Sequence, residues 1–230
     1  MQIISHRGGS GEYQESSTYA FISSSSLPIE GIECDIHFTK DCVPIINHNP
    51  TLNEHHNIDE FIENLEFTEI LSLTENKVIL LSDLLEIFNP VQKLFLEIKG
   101  SPTKFQINIL YNILEKYQNI KQNIVILSYN FKILKNIKNY QKLILIDNVF
   151  TKNILKQIIE KSESNYIGIY YDIVSKKYID NIKKIKNDIK IYVFTVNELI
   201  IYKKFIDLKI TNQITGIITD YPNKFNKFIN

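Results

Sequence analysis

The sequence predicts an α/β fold in which eight parallel strands close into a (β/α)₈ TIM barrel. Short runs of Ile, Val, Leu and Phe alternate with helix-like segments along most of the chain. Strands that are apolar on both faces and separated by helices are typical of a parallel sheet covered on both sides. The length of 230 residues suits one such barrel. A doubly wound open sheet is the alternative, but no Gly-x-Gly-x-x-Gly turn follows the first strand.

The beginning of the chain predicts two barrel strands joined by a helix. A loop containing three of the seven glycines follows the first strand, where glycine lets a ligand approach the backbone closely. Ser16 or Ser17 is the expected cap of the first helix. That helix should begin near Thr18 and end before Pro28. The strands predicted here cover residues 2–5, 32–38 and 43–47.

Residues 49–93 are more polar and have weaker periodic patterns, which predicts a short insertion after the second strand. One helix is expected around residues 58–65. Another is expected around residues 82–88, with Ser82 or Asp83 as its cap. Residues 1–230 are therefore interpreted as one domain that carries this insertion.

The rest of the chain repeats a unit of strand followed by helix. The predicted strands cover residues 93–99, 123–128, 142–147, 165–171, 189–196 and 214–219. The predicted helices cover residues 103–118, 130–139, 151–162, 175–186 and 198–208. Together with the first two strands, this repeat supplies the eight parallel strands of the barrel.

Composition excludes several broad classes of protein. Lys plus Arg and Asp plus Glu both number 26, so no net charge attracts the chain to nucleic acid or to an acidic membrane. The sequence contains no apolar run of about 18 residues, so no membrane-spanning helix is predicted. The two cysteines are expected to be reduced thiols. The first predicted strand begins directly after Met1 and leaves no room for a signal peptide, so a cytoplasmic protein is expected. No feature assigns an oligomeric state.

Three carboxylates on two predicted neighbouring strands form a candidate metal site. Alternation places Glu33 and Asp35 on one face of the second strand, and Glu97 lies near the end of the strand that follows the insertion. Like charges in one pocket repel unless a cation lies among them, and oxygen ligands favour Mg²⁺ or Ca²⁺. The alternative is a plain ion-pair network in which the acids pair with Arg7 or Lys99.

All five histidines occur in the first 56 residues. His6 and His48 follow predicted strands and titrate near neutrality, as an acid–base pair requires. His37 shares the face of the acids and could support them, whereas His55 and His56 are expected to be solvated surface residues. With Arg7 and Lys99 available for an anionic phosphate, the set suits hydrolysis of a phosphodiester. A sugar-phosphate isomerase could use similar groups.

Five blocks of sequence resemble one enzyme family. HRGGSGEYQES is similar to the HRG-x-SG-x-x-PEN-T opening of glycerophosphodiester phosphodiesterases. GIECDIHFTKDCVPIINHNPTL resembles that family's G-x-E-x-D-V-x-x-T-K-D-G-x-x-V-x-x-H-D-x-x-L block. LFLEIKG, YVFTVN and GIITDYP resemble its L-x-x-E-I-K, W-T-V-N and G-I-I-T-D-x-P blocks. The matches follow the family's order and span almost the whole chain.

The resemblance implies a barrel of the PLC-like phosphodiesterase type and roles for the residues singled out above. The metal ligands would be Glu33, Asp35 and Glu97. His6 and His48 would form the acid–base pair, and Arg7 and Lys99 would bind the phosphate. Glu15, the acid of the opening block, would orient Arg7 or the metal shell. The implied reaction is metal-dependent hydrolysis to glycerol 3-phosphate and an alcohol.

Several positions depart from the family pattern. Gln14 and Ser16 replace a proline and an asparagine beside the opening acid, and Cys42 replaces a turn glycine. Asn49 replaces the aspartate after the second histidine, which puts the support of that histidine in question. Phe194 replaces a tryptophan that usually lines the substrate pocket, and it is the candidate substrate-binding aromatic residue.

The polar composition of residues 49–93, interpreted as the main cover of the barrel mouth, predicts small substrates. A surface that enters a bilayer would present apolar residues backed by cations. Deacylated diesters such as glycerophosphocholine or glycerophosphoethanolamine are therefore expected, unless the segment is a mobile lid unrelated to substrate choice. The alternatives are a lysophospholipase-D-like or phosphoinositide-cleaving enzyme on the same barrel, and an inactive phosphate-ester binding protein.

Overall fold

The structure is a computed structural model that describes residues 1–229. Its strands are β1 (Gln2–Ser5), β2 (Gly31–Phe38), β3 (Pro44–Ile46), β4 (Thr51–Leu52), β5 (Ile58–Phe61), β6 (Ile79–Leu80), β7 (Lys93–Ile98), β8 (Ile124–Ser128), β9 (Gln141–Ile146), β10 (Tyr166–Tyr170), β11 (Lys190–Phe194) and β12 (Gly216–Thr219). Its α-helices are α1 (Thr18–Ser25), α2 (Asn53–His56), α3 (Phe67–Leu73), α4 (Leu81–Ile87), α5 (Lys104–Leu114), α6 (Phe131–Asn136), α7 (Lys152–Ser162), α8 (Lys176–Ile185), α9 (Leu199–Asp207) and α10 (Pro222–Ile229). Among these described helices, none has both the length and the apolar character needed to cross a membrane.

Eight parallel strands close into a barrel, which confirms the predicted fold class. The closed order is β1, β12, β11, β10, β9, β8, β7 and β2, and β2 pairs again with β1. Antiparallel β3 and β6 extend the sheet beyond β2. In a barrel of this kind the strands' C-terminal ends all open on one face. Polar residues that are remote in sequence therefore meet there.

Alternating side chains of the barrel strands pack into two layers. The outward-facing side chains, such as Ile32 and Cys34, join the larger core between the sheet and the surrounding helices. The inward-facing side chains fill the barrel, where the Phe95 and Tyr192 rings lie 5.4 Å apart in an edge-to-face arrangement. This alternation turns Glu33 and Asp35 away from the apolar outer layer.

The insertion has its own small apolar cluster, and here the structure corrects the predicted helix at residues 58–65. That stretch forms β5 and a 3₁₀ turn, because Thr51 pairs with Phe61 across a short hairpin. Helix α3 had not been predicted, although Glu66 and Glu69 form a capping box at its start. Four buried residues hold the segment against β3, namely Ile45, Leu52, Ile62 and Ile70.

Helix caps agree with the prediction at one helix and differ at another. Ser17 caps α1, where its hydroxyl accepts a hydrogen bond from the backbone N–H of Ala20. The prediction of Ser82 or Asp83 as the cap of α4 is wrong. The helix begins one residue earlier, and the capping position is Leu80, which has no polar side chain. Packing of its buried leucines against the barrel defines this start, since no side-chain cap is present.

Candidate active site

A cavity of about 440 Å³ opens at the C-terminal end of the barrel strands. Seven of the nine residues singled out from the sequence line it: His6, Arg7, Glu33, His48, Glu97, Lys99 and Phe194. Asp35 lies beneath this surface and is 1 % exposed. Glu15 lies to one side, where its carboxylate contacts Arg7. The structure thus brings seven of the nine residues to one mouth and places Asp35 and Glu15 in contact with Lys99 and Arg7 of that set.

The loop after β1 directs its two functional side chains into the cavity through an unusual backbone conformation. Arg7 and Gly8 have positive φ angles of 51° and 79°. The backbone N–H of Arg7 donates a hydrogen bond to Glu33 Oε2 at 3.1 Å. A Cβ atom on Gly8 would lie 2.9 Å from Cβ of Ala20, so only glycine allows α1 to pack this closely.

Glu33, Asp35 and Glu97 form a compact buried carboxylate cluster. They lie on neighbouring strands, with Asp35 in register with Glu97, and one oxygen of each lies within 4.8 Å of the others. Lys99 Nζ lies 2.9 Å from both Asp35 Oδ1 and Glu97 Oε1. Arg7 Nε lies 3.5 Å from Asp35 Oδ2, which makes no hydrogen bond although it is buried.

The charges in this cluster are only partly balanced. Burial, followed by repulsion from Asp35 and Glu97, raises the pKa of Glu33 well above its usual range. Burial and the nearby Asp35 raise the pKa of Glu97 to about 7. Burial also opposes ionisation of Asp35, but attraction from Lys99 and other cationic groups outweighs it and lowers the pKa of that carboxyl. Three buried carboxylates and an unpaired oxygen fit a divalent cation with oxygen ligands.

His6 is held by a carboxylate from the opposite end of the chain. Its Nδ1 lies 2.5 Å from Asp220 Oδ1, while its Nε2 lies 3.9 Å from Glu33 Oε2. Asp220 also accepts hydrogen bonds at 2.5 Å from the Ser10 hydroxyl and the Asn197 amide. Burial raises the pKa of Asp220, but the hydrogen bonds with His6, Ser10 and Asn197 outweigh this effect and lower the pKa to about 2. Asp220 therefore remains ionised and orients the ring of His6.

Asn197 and Asp220 directly follow the strands predicted at residues 189–196 and 214–219, but the sequence assigns neither of them a role. Their position after β12 and β11 was the available signal. Their contact with His6 depends on closure of the barrel between β12 and β1. The sequence alone therefore could not identify the pair.

His48 is oriented by the residue that departs from the family pattern. Its Nδ1 lies 2.9 Å from Asn49 Oδ1, and the Asn49 amide donates a hydrogen bond to Glu54 Oε2 at 2.6 Å. Because the amide oxygen can only accept, Nδ1 carries the proton and Nε2 has the free lone pair. Burial is the main cause that lowers the pKa of His48 to about 4. The ring is therefore neutral at physiological pH.

The remaining histidines differ in part from expectation. His55 is not a freely solvated residue, because its Nε2 lies 3.5 Å from Glu15 Oε1 and its side chain is only 20 % exposed. The other oxygen of Glu15 accepts a hydrogen bond from Arg7 Nη1 at 2.9 Å. His37 lies behind the cavity, where its Nε2 is 3.1 Å from the backbone oxygen of His48.

The far wall of the cavity comes from residues that end or directly follow β8 to β11, which corrects the expectation that residues 49–93 cover the mouth. Within the described chain, no residue of 49–93 lines the cavity. The far wall includes Tyr129, Asp147, Tyr170 and Phe194. Three of these residues were not predicted from sequence, because no local pattern shows how loops around a barrel converge.

A (β/α)₈ barrel that gathers carboxylates, histidines and two cations in one polar cavity fits an enzyme that acts on phosphate esters. Residues 6–224 match the model of the glycerophosphoryl diester phosphodiesterase family. The chain therefore belongs to this family, which confirms the resemblance read from its motifs. Its enzyme class is glycerophosphodiester phosphodiesterase.

Known relatives match nearly the whole chain, and those with solved structures share its fold. A rat lysophospholipase D is 23 % identical, and the match covers 99 % of this chain and 85 % of that protein. The structure of a glycerophosphodiester phosphodiesterase from Thermotoga maritima has a TM-score of 0.85 at 24 % identity, covering 98 % of this chain and 97 % of the other. An Oleispira antarctica phosphodiesterase in complex with sn-glycerol-3-phosphate has a TM-score of 0.82 at 20 % identity, with 100 % and 96 % covered.

Proposed function

We propose that the chain hydrolyses glycerophosphodiesters to glycerol 3-phosphate and an alcohol. The reaction would use a divalent cation, Mg²⁺ or Ca²⁺, and a histidine acid–base pair. The observation that carries this proposal is the carboxylate cluster of Glu33, Asp35 and Glu97 in the same cavity as His6 and His48. The product bound to the Oleispira antarctica relative is the one this reaction would release.

The carboxylate cluster would hold the cation, which when bound polarises a phosphoryl oxygen and offsets charge that develops in the transition state. Arg7 and Lys99 would bind the remaining phosphate oxygens. Lys99 already contacts Asp35 and Glu97, and its ammonium has a third N–H available for the substrate. Glu15 would act as a positioning residue that holds the guanidinium of Arg7.

The two histidines have different surroundings, which supports different roles. His48 is neutral and presents Nε2 to the cavity, so it suits removal of the proton from the attacking water or hydroxyl. The Nδ1 of His6 contacts ionised Asp220, which orients the ring so that Nε2 lies on the side of Glu33. We therefore assign the base to His48 and the acid that protonates the leaving alcohol to His6.

The direct test is turnover of glycerophosphocholine followed by release of glycerol 3-phosphate. Activity is expected with Mg²⁺ or Ca²⁺, loss of activity with EDTA, and recovery when either ion is added in excess. Binding of the ion should also raise the melting temperature, because it favours the folded state that holds the preformed site. Full turnover in EDTA after exhaustive dialysis would contradict metal dependence, and no turnover with any ion would favour a binding protein.

Substrate size is expected to favour small deacylated diesters over lysophospholipids. A cavity of about 440 Å³ lies at the lower end for small-ligand sites, so an acyl chain would have to lie outside it. The rat lysophospholipase D relative makes a lysolipid the alternative substrate. Rates on glycerophosphocholine and lysophosphatidylcholine at equal concentrations, below the critical micelle concentration, decide between them. A clear preference for the lysolipid would overturn this expectation.

The hydrogen bond that His48 Nδ1 donates to Asn49 should influence the pKa of His48. The native amide favours the charged form of the ring only through its hydrogen bond, whereas a carboxylate at this position would add a negative charge and favour that form more strongly. The double variant Asn49→Asp, Glu54→Gln places a carboxylate at position 49 without the repulsion of Glu54. We expect the acidic limb of the kcat/KM profile to move to higher pH by about one unit, with Glu54→Gln alone as the control. Identical acidic limbs in the two variants would exclude His48 as the group that must be neutral.

A further inference from the structure

We propose that the far wall of the cavity is a subsite for an ammonium group on the leaving alcohol, so that the favoured substrates carry a quaternary or primary ammonium. The subsite consists of Tyr129, Asp147, Tyr170 and Phe194, and we call it the ammonium subsite. This inference rests on the proposed function, because it concerns the second alcohol of the same diester.

The ammonium subsite occupies a continuous arc of the barrel. Its residues follow or end β8, β9, β10 and β11, which are neighbours in the sheet. The carboxylate cluster lies on β2 and β7, and His6 follows β1. A diester whose phosphate lies at the cluster therefore extends one of its two alcohols toward this arc.

The aromatic rings of the subsite are angled toward one another rather than stacked flat. The rings of Tyr129 and Phe194 have centroids 6.3 Å apart at 83°, and those of Tyr170 and Phe194 are 6.0 Å apart at 56°. The rings of Tyr129 and Tyr170 both contact Phe194, so the three rings form one aromatic wall. Tyr129 is 46 % exposed, so a ligand can reach it. Aromatic rings that line a cavity attract cations, quaternary ammonium groups in particular.

Asp147 adds a negative charge to the rings. Its Oδ1 accepts a hydrogen bond from the side-chain amide of Asn148 at 2.7 Å. Among the described ion pairs, none involves Asp147, although it lines the cavity. The carboxylate is therefore available to a cationic ligand.

The distribution of charge along the cavity matches a zwitterionic diester. All lysine, arginine and histidine side chains that line it lie on the side of the carboxylate cluster, namely His6, Arg7, His48 and Lys99. On the opposite arc, the described lining contains one acid, Asp147, and no base. Phosphate would thus meet Arg7 and Lys99, while a positive group meets the rings and Asp147. A neutral alcohol such as glycerol would gain less from the same wall.

Glycerol itself is the competing occupant of this wall, and comparison among diesters separates the two cases. Glycerophosphocholine, glycerophosphoethanolamine and glycerophosphoglycerol share the glycerol phosphate and differ in the second alcohol. The readout is the ratio of kcat/KM for each cationic diester to that for glycerophosphoglycerol, measured with saturating Mg²⁺. If glycerol occupies the wall, a substitution there lowers all three values together and leaves the ratio unchanged.

We expect wild-type protein to favour the cationic diesters by about tenfold, the scale of cation–π and charge contacts. Asp147→Asn and Tyr129→Leu should each lower this ratio severalfold. Tyr129→Phe should preserve the ratio, because it keeps the ring. Asp172→Asn is the matched control, since Asp172 is an exposed acid of the neighbouring loop that does not line the cavity. A ratio near one in the wild type, or one that no substitution changes, overturns the proposal.

Binding of phosphocholine tests the subsite without turnover. Calorimetry with Mg²⁺ present should show weaker binding to Asp147→Asn than to wild type, while binding of inorganic phosphate is the same for both. If no diester is hydrolysed but phosphocholine binding depends on Asp147, the proposed function fails and the subsite stands. If diesters are hydrolysed and phosphocholine binds both proteins equally, the subsite fails and the proposed function stands.

Discussion

Asp35→Asn is expected to lower turnover at least about 10²-fold, because the proposed cation would lose one of its three carboxylate ligands and with it part of the transition-state stabilisation. It should also abolish the rise in melting temperature on addition of Mg²⁺ or Ca²⁺. Asp35 is the ionised member of the cluster and contacts Lys99 and Arg7. The variant leaves those cations partly unpaired, so we also expect it to be less stable than wild type without metal.

Glu33→Gln should have the opposite effect on stability. Burial and like charges raise the pKa of Glu33, so its ionised form opposes folding of the metal-free protein. The neutral amide relieves this repulsion, and its oxygen can still accept from the backbone N–H of Arg7. We expect a melting temperature about 2–4 °C higher without metal, equivalent to about 1 kcal/mol, together with greatly reduced turnover.

Glu60→Gln serves as the control for both variants, since Glu60 is an exposed acid of the insertion. It should leave turnover and the metal-dependent melting temperature as in wild type. An Asp35→Asn protein with normal turnover and a normal metal-induced shift would contradict the proposed metal site. Equal destabilisation by Asp35→Asn and Glu33→Gln would contradict the assignment of charge within the cluster.

His6→Ala and His48→Ala are each expected to lower turnover of glycerophosphocholine at least about 10²-fold, the usual contribution of a positioned acid or base. Both side chains line the open cavity, so the variants should fold. A diester with a p-nitrophenol leaving group distinguishes the two roles, because this leaving group departs without being protonated. His6→Ala should recover much of its rate on that substrate, whereas His48→Ala should not.

His56→Ala is the matched control for these two variants, because His56 lies outside the cavity and should leave both rates unchanged. Near-normal turnover by His48→Ala would contradict the paired acid–base mechanism. If His48→Ala recovers its rate on the p-nitrophenol diester and His6→Ala does not, His48 is the acid and His6 is the base, and the paired mechanism still holds.

Local patterns in the sequence were sufficient for the regular part of the fold. From β7 onward, apolar runs and helical segments alternate with a clear period, and every predicted strand and helix is present within a few residues. The insertion lacks this regularity. The stretch at residues 58–65 became a hairpin strand and a 3₁₀ turn because of pairing between Thr51 and Phe61, which local propensity does not encode.

The sequence by itself determined the chemistry of one half of the cavity. The alternation of Glu33 and Asp35 along one strand, and the position of His6, Arg7 and Glu97 at strand ends, follow from strand geometry and barrel topology. Only the tertiary structure decided which remote side chains touch. The contact of Asp220 with His6 needs closure of the barrel. The ammonium subsite needs the C-terminal ends of four strands to converge, and the directions of side chains there depend on packing among segments far apart in the chain.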